Sequence, residues 1–548
     1  MTTTQEAAAA AEPRLRPVSP WRHAVWMTLA AFAVGLSVEL LFDRRPLGVS
    51  VLIWACLSIG ALLLTGALER ARPSLDSLGF IPGILLFATF LFLRAEPMTG
   101  FLSLVSVLAL FALWVRVYRT GGLLRHGWID LGLALIWVPL ESWVRTWGPL
   151  SDSWLRIAGE RGQRSRLVAV LRGLVLAIPI LIVLGSLLSA ADLVFSDYLR
   201  AVLEWLGLDR LVELAGRTAI VILSGLFFLG ALAVALMPRE DRKLIGEERP
   251  LILPFLGFTE SAVVLAAVDL LFVAFVAVQF AYLFGGEANI TAAGYTYSEY
   301  ARRGFGELVA VSVLTLGLIL GLGEWARRES PGQRKWFHAL SVLLVGLVGV
   351  ILGSALMRLL LYENAYGFTR LRTYTHVAIL WMGAAFLVFL ALLLARRLRQ
   401  FAPAAGLCFA GFVATLGLLN VDAFIVRQNA GRLMETGEVD AAYLAALSSD
   451  AVPGLVGLAG EGDEELRHEL LPALACRMAE LERWAEETGL PSYNRSHAAA
   501  LESLRGIEAD LSPFLARWKP YSEGSRWGQW LVTIDGVEQQ CPAGQEGF

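Results

Sequence analysis

Apolar runs long enough to cross a bilayer recur along most of this chain. A helix crosses about 30 Å of hydrocarbon with about 20 residues, and it satisfies its own backbone donors and acceptors there. That ruler selects eleven runs: Ala24 to Leu41, Gly48 to Leu68, Leu78 to Leu93, Met98 to Val115, Val168 to Ala190, Thr218 to Met237, Ser261 to Phe284, Phe305 to Leu322, Leu340 to Leu361, Val377 to Ala395 and Ala404 to Leu419. A further segment, Ile129 to Val144, contains Asp130, Pro139 and Glu141 and lies among Trp128, Trp137, Trp143, Trp147 and Trp154. Such Trp density belongs to the headgroup region, so this segment reads as an interfacial or re-entrant helix. The expected fold class is an all-α integral membrane protein with about 11 transmembrane helices.

The flanks read differently. Residues 1 to 22 are polar and Ala-rich with Pro13, Pro17 and Pro20, a mixture that buries too little apolar surface to order itself, so they form a disordered tail. The first run is too long for a signal-peptide core, and Asp43-Arg44-Arg45-Pro46 follows it in place of a cleavage site, so it is expected to stay as a span. The transmembrane domain covers 23 to 420. From 421 to 548 the chain is polar with helical periodicity, predicting a soluble, mainly helical domain. Asp440 and Asp450 suit N-caps, and Leu466, Leu470, Leu474, Met478 and Leu481 make an apolar stripe at helical spacing. Trp530 to Ile534 followed by Asp535-Gly536 reads as a short hairpin.

Composition agrees. With 56% hydrophobic and 17% charged residues the chain lacks the charge of a water-exposed surface, and a net charge of -3 predicts no nucleic-acid partner. The expected partner is the lipid bilayer. Charge distribution says more, because cytoplasmic loops hold an excess of Lys and Arg. With the N-terminus inside, the inner segments carry Arg14, Arg16 and Arg22, Arg70 and Arg72, the run from Arg116 to Arg166, and later clusters such as Arg327, Arg328, Arg334 and Lys335. Outer loops are poorer, with pairs such as Arg44 and Arg45 or Arg302 and Arg303. An odd number of crossings then places the C-terminal domain outside the cytoplasm. Cys56 and Cys408 fall inside spans, whereas an extracytoplasmic location would permit a disulfide between Cys476 and Cys541; two unpaired thiols are the open alternative.

Catalytic signatures are sparse. The three lysines, Lys243, Lys335 and Lys519, end no phosphate-cradling loop, the six histidines form no His-Glu-x-x-His pair, and neither Gly-x-Ser-x-Gly nor Cys-x-x-Cys occurs. No metal or cofactor is implied, and the balance leans away from an enzyme. Asp269 lies deep within the span Ser261 to Phe284, where an ionised carboxylate would cost at least ~2.5 kcal/mol. It reads either as a proton or cation relay or as a neutral acid hydrogen-bonded to a neighbouring helix. Gly317 with Gly321, and Gly346, Gly349 and Gly353, predict close packing along one ridge of consecutive spans.

The polar connections supply spaced motifs: Gln279-Phe-Ala-Tyr282-Leu-Phe-Gly-Gly286, then Tyr297-Ser-Glu299-Tyr300-Ala-Arg302-Arg303-Gly304, then Tyr366-Gly367-Phe-Thr369-Arg370-Leu-Arg372, then Asn420-Val-Asp422 through Arg427-Gln-Asn429, and finally Ser449-Asp450-Ala-Val-Pro453. Over about Ser261 to Leu458 this series resembles the bacterial membrane proteins grouped as domains of unknown function 4153 and 4173. Val421 stands where that family is expected to have proline. The resemblance implies a bacterial plasma-membrane protein and carries over no catalytic residue.

By the charge argument these motifs share the outer side. Gln279, Tyr300, Arg302, Glu363, Asn364, Arg370, Arg372, Asn420, Asp422 and Arg427 are thus candidates for an extracytoplasmic polar site. The planar guanidinium fork suits an anionic lipid headgroup or envelope precursor; the alternative is a salt-bridge layer that caps helix ends and docks the soluble domain. Three activities remain: a non-enzymatic envelope or signalling component, a secondary transporter or channel using Asp269, and a membrane transferase on lipid-linked substrates with Glu299, Glu363 or Asp422 as base.

Overall fold

The computed structural model describes residues 21–43, 45–121, 128–157, 208–237, 255–282, 305–395, 397–487, 489–520, 528–534 and 536–541, with scattered positions between 177 and 198. The main helices are α1 (Ala24–Phe42), α2 (Val49–Leu68), α3 (Phe80–Leu93), α4 (Pro97–Val117), α5 (Trp128–Arg145), α6 (Trp147–Ile157), α7 (Leu208–Leu236), α8 (Phe258–Tyr282), α9 (Phe305–Trp325), α10 (Pro331–Tyr366), α11 (Arg370–Leu394) and α12 (Phe401–Leu419). Among the described residues ten helices are long and apolar enough to cross a membrane, and the protein is an all-α, multi-pass membrane protein. They correspond to ten of the eleven expected runs; the eleventh, Val168 to Ala190, lies outside the described residues apart from isolated positions. The Trp-rich α5 is helical with Pro139 inside it, and its charged Asp130, Glu141 and Arg145 keep it out of that group.

The chain divides into two compact units. In the first (Met1–Leu40, Ser58–Pro73 and Val138–Met237), α1 and α7 run antiparallel with their backbones in close approach. A Cβ on Gly35 would stand 2.6 Å from the Gly225 nitrogen, and Glu39, toward the end of α1, meets Arg217, toward the start of α7, at 3.6 Å. Only glycine allows two helices so near.

The second unit (Leu41–Leu57, Ser74–Trp137 and Pro238–Phe548) holds α3, α4, α8 to α12 and the C-terminal region. Phe272, Phe337, Leu344, Ile351 and Phe386 belong to one apolar core shared by α8, α10 and α11. The helix-packing ridge expected at Gly346, Gly349 and Gly353 is not where these helices meet. Among the described residues nothing lies within 4 Å of a Cβ built on any of the three, nor on Gly317. Large side chains on the opposite face of α10, such as Leu344, Val348 and Ile351, make the contact instead.

Beyond α12 the chain continues as α13 (Val421–Thr436), α14 (Ala441–Ala445), α15 (Val452–Glu461), α16 (Glu464–Glu487) and α17 (Arg495–Arg505), followed by β1 (Leu515–Pro520), β2 (Gly528–Ile534) and β3 (Val537–Gln540). The strands form an antiparallel sheet in the order β1-β2-β3. The expected hairpin is β2 to β3: Ile534 pairs with Val537, and Gly536 adopts the positive φ of +80° that such tight turns require. The stripe on α16 is core, with Leu466, Leu470, Leu474 and Leu481 buried. Cys476 on α16 is disulfide-bonded to Cys541 at the end of the sheet.

This C-terminal region is not a bead on a string. Its apolar core runs without a break from Leu455, Leu470 and Leu504 through Val421 and Ile425 into Leu416 of α12 and Val377 of α11. Outside the spans, each fully buried aliphatic side chain of this core, such as Leu470 or Leu504, contributes about 1.5–3 kcal/mol. The weld between the C-terminal helices and the spanning helices is therefore hydrophobic at its centre.

Candidate functional site

Around that weld lies a layer of buried polar groups, built from the turns that join the spans. The turn between α3 and α4 is three residues long. Pro97 opens α4 and leaves orphan backbone donors behind it, and the Glu96 carboxylate caps them, accepting from the N–H of Met98 at 2.8 Å and Thr99 at 2.7 Å. The N–H groups of Ala95 and Glu96 in turn donate to one oxygen of Asp450, at 2.7 and 3.0 Å. Asn494 donates to the carbonyls of Arg94 at 2.9 Å and Leu91 at 3.3 Å, closing the end of α3, while its own oxygen caps α17.

The turn between α10 and α11 is treated the same way. Gly367 takes a φ of +74°, and the Asn429 amide pairs with both the N–H and the carbonyl of Phe368 at 2.9 Å each. Thr369 caps α11. Arg370 follows. Its guanidinium donates two parallel hydrogen bonds to Asp422, Nε at 2.8 Å and NH2 at 2.5 Å, and its backbone N–H donates to the Tyr443 hydroxyl at 2.8 Å. Asp422 also accepts from the N–H of Ser448 at 2.8 Å. The Asp422 side chain is 0% exposed and that of Arg370 13%, so this is a buried, bidentate pair. Tyr374, one turn along α11, donates its hydroxyl to Glu96 and joins the two turns.

Among the sequence-predicted residues, Arg370 and Asp422 are brought together in this layer. Arg372 closes the end of α10, donating to the carbonyls of Tyr366 and Gly367 and standing 4.1 Å above the Tyr362 ring. Glu363 is buried beside His376, with Nδ1 to carboxylate oxygen 3.4 Å. Gln279 forms a separate cluster on α8 and α10, accepting from Ser354 at 2.6 Å and Arg358 at 2.9 Å. Asn364 and Arg427 are exposed, Arg427 lying 5.6 Å from the Phe424 ring, and Asn420 takes a left-handed conformation between α12 and α13. Tyr300 and Arg302 lie outside the described residues. Asp269 is 3% exposed, and among the described residues neither of its oxygens has a hydrogen-bond partner. Among the described residues no three His, Cys, Asp or Glu side chains cluster as a metal site would need.

Arg94, Glu96, Tyr374, Asn429, Asp450 and Asn494 complete the layer and were not among the sequence candidates. Glu96-Pro97 before an apolar run is a helix-start signal from which one of them could have been read. Asp450 was expected to cap a helix; Ala451 holds that position, and Asp450 reaches across to the α3–α4 turn.

Two expectations follow. Removing one partner of a buried ion pair leaves the other uncompensated, at about 3–5 kcal/mol. Thermal unfolding in detergent should show a large loss for Asp422→Asn and for Arg370→Gln, and a loss for the double variant well short of their sum; strict additivity would mean that the two side chains are not coupled. Burial pushes the Asp450 carboxyl up to about 6, against the opposing effects of the Ala95 N–H, Ser496 and Arg94. The fold thus favours the neutral acid, and this contribution, about 3 kcal/mol, is complete below the ordinary carboxylate range and lost as pH rises through about 6. Asp450→Asn, which stays neutral, should flatten the fall in Tm between about pH 4 and pH 7; an unchanged profile would contradict this.

Both turns, and the whole layer except Asn494, fall within the stretch that the chain shares with other proteins. Residues 81–458 match the family described as Domain of unknown function (DUF4153), extending the likeness well upstream of Ser261. No curated protein and no solved structure matches the chain. The match takes in more than half of the chain, from α3 through α15, and on that ground the protein belongs to the DUF4153 family.

Proposed function

We propose that the protein is a ligand-binding or signalling component of a bacterial cytoplasmic membrane, with its C-terminal domain held rigidly on the outer ends of its spans. The observation that carries this reading is the buried Arg370–Asp422 pair within a polar layer whose charges serve the docking of that domain. Arg370 is engaged with Asp422 and Arg372 with helix-end carbonyls, which favours docking over ligand capture by that cluster. Three observations support the outward orientation: the excess of Arg and Lys in the opposite loops, the disulfide between Cys476 and Cys541, which suits an oxidising compartment, and the antiparallel sense of α1 and α7. With α2, α3 and α4 between them, that sense calls for an odd number of crossings between α4 and α7, in keeping with eleven in total.

A second reading, transport, is favoured by Asp269 alone. An acid at that depth without a partner among the described residues is suited to taking up and releasing a proton.

Impermeant maleimide on intact cells distinguishes the orientations. In a background lacking Cys56 and Cys408, a cysteine replacing exposed Glu461 should be labelled from outside and one replacing Arg22 should not; labelling of both, or of neither, contradicts the proposed topology. Proton-coupled solute uptake in proteoliposomes that Asp269→Asn abolishes would replace the ligand-binding or signalling reading with the second.

A further inference from the structure

The polar layer borders a cavity of about 440 Å³ between the α3–α4 turn and the soluble helices α16 and α17. Its size lies within the range of small-molecule sites, about 300–1,000 Å³. Its lining includes the start of α4, with Gly100, Phe101 and Leu104, and Leu481 and Trp484 of α16.

The α4 wall belongs to the membrane. Phe101 is 50% exposed and begins a stripe that continues with Val105 and Leu108 at helical spacing, the face that a spanning helix turns to lipid. The cavity is therefore continuous with the acyl-chain region at the helix ends. Arg94 lines the same cavity. Its Nε donates to the Gly417 carbonyl at 2.7 Å, but NH1 is 4.0 Å from Asp450, beyond hydrogen-bond reach, and among the described residues the terminal nitrogens make no hydrogen bond. The acids nearby are already engaged: Glu96 with two backbone N–H groups and Tyr374, Asp450 with the N–H groups of Ala95 and Glu96, and Glu480 with Arg477 at 3.4 Å. A partly exposed guanidinium with unused donors in the wall of a largely apolar cavity fits a phosphodiester.

We propose that this cavity binds a membrane phospholipid, its phosphodiester on Arg94 and the start of its acyl chains between Phe101 and Trp484, with the rest of the chains in the bilayer. The inference rests on the ligand-binding reading above and names its ligand class. It does not depend on which side of the membrane the cavity faces, so topology labelling and lipid binding fail separately.

The test uses the full chain in nanodiscs with a phosphatidylglycerol carrying a diazirine near its glycerol, and maps the cross-links by mass spectrometry. Labelling should concentrate on peptides containing Phe101 and Trp484. Loss of charge-assisted hydrogen bonds should lower it about tenfold or more in Arg94→Gln. Because Arg94 also touches Gly417, a second variant fills the cavity: a Cβ on Gly100 meets only Leu91 Cδ2 at 3.9 Å, so Gly100→Leu should fold, elute as the wild type does and lose the same labelling. Inorganic phosphate at millimolar concentration should leave labelling unchanged. Labelling spread evenly over the lipid-facing helices, labelling retained in Gly100→Leu, or displacement by inorganic phosphate would overturn the proposal.

Discussion

The arrangement at the membrane face depends on one buried ion pair, Arg370 with Asp422. Taking both charges out of water costs several kcal/mol per ion, and the mutual attraction offsets that cost only when the geometry is good and the remaining lone pairs are satisfied. Here the contact is bidentate, and Asp422 has a further partner in the Ser448 N–H. Such a pair adds little net stability over two well-packed apolar side chains. What it imposes is a penalty on every arrangement that separates α11 from α13 and the loop after α14, because either charge left alone in that setting is expensive.

The neighbouring contacts extend the same constraint to the rest of the helix ends. Spans that finish at a membrane face leave orphan carbonyls and begin with orphan N–H groups, and in this protein side chains from the C-terminal region satisfy several of them. Asn494 closes α3, Asp450 takes the two N–H groups of the α3–α4 turn, and Asn429 pairs with Phe368 in the α10–α11 turn. Helix capping and domain docking are thus the same hydrogen bonds. Beneath them the apolar core through Leu416, Val421 and Leu455 supplies the bulk of the attraction, and the polar layer sets its register.

Much of the fold was legible in the chain. Hydropathy alone located the ten described spans, because the 1.5 Å rise and the thickness of hydrocarbon leave little freedom in length. The α16 stripe and the β2–β3 hairpin followed from periodicity and from Asp535-Gly536. The polar layer was half legible: Arg370 and Asp422 stood out as charges near span ends, whereas Glu96, Asp450 and Asn494 join it only through contacts separated by hundreds of residues, which no local pattern encodes. The glycine ridge on α10 shows the converse. Small residues at helical spacing allow close approach without requiring it, and the approach occurs between Gly35 and Gly225, where no spaced motif marks it.

Amide hydrogen exchange in nanodiscs, resolved at the two turns, tests the welded interface most directly. The N–H groups of Ala95, Glu96 and Ser448 donate to Asp450 and Asp422, so they should be protected and should exchange in one cooperative step with α13 and α15. Rapid exchange at these three amides while α13 and α15 remain protected would mean that the domain is only tethered, and would contradict the account.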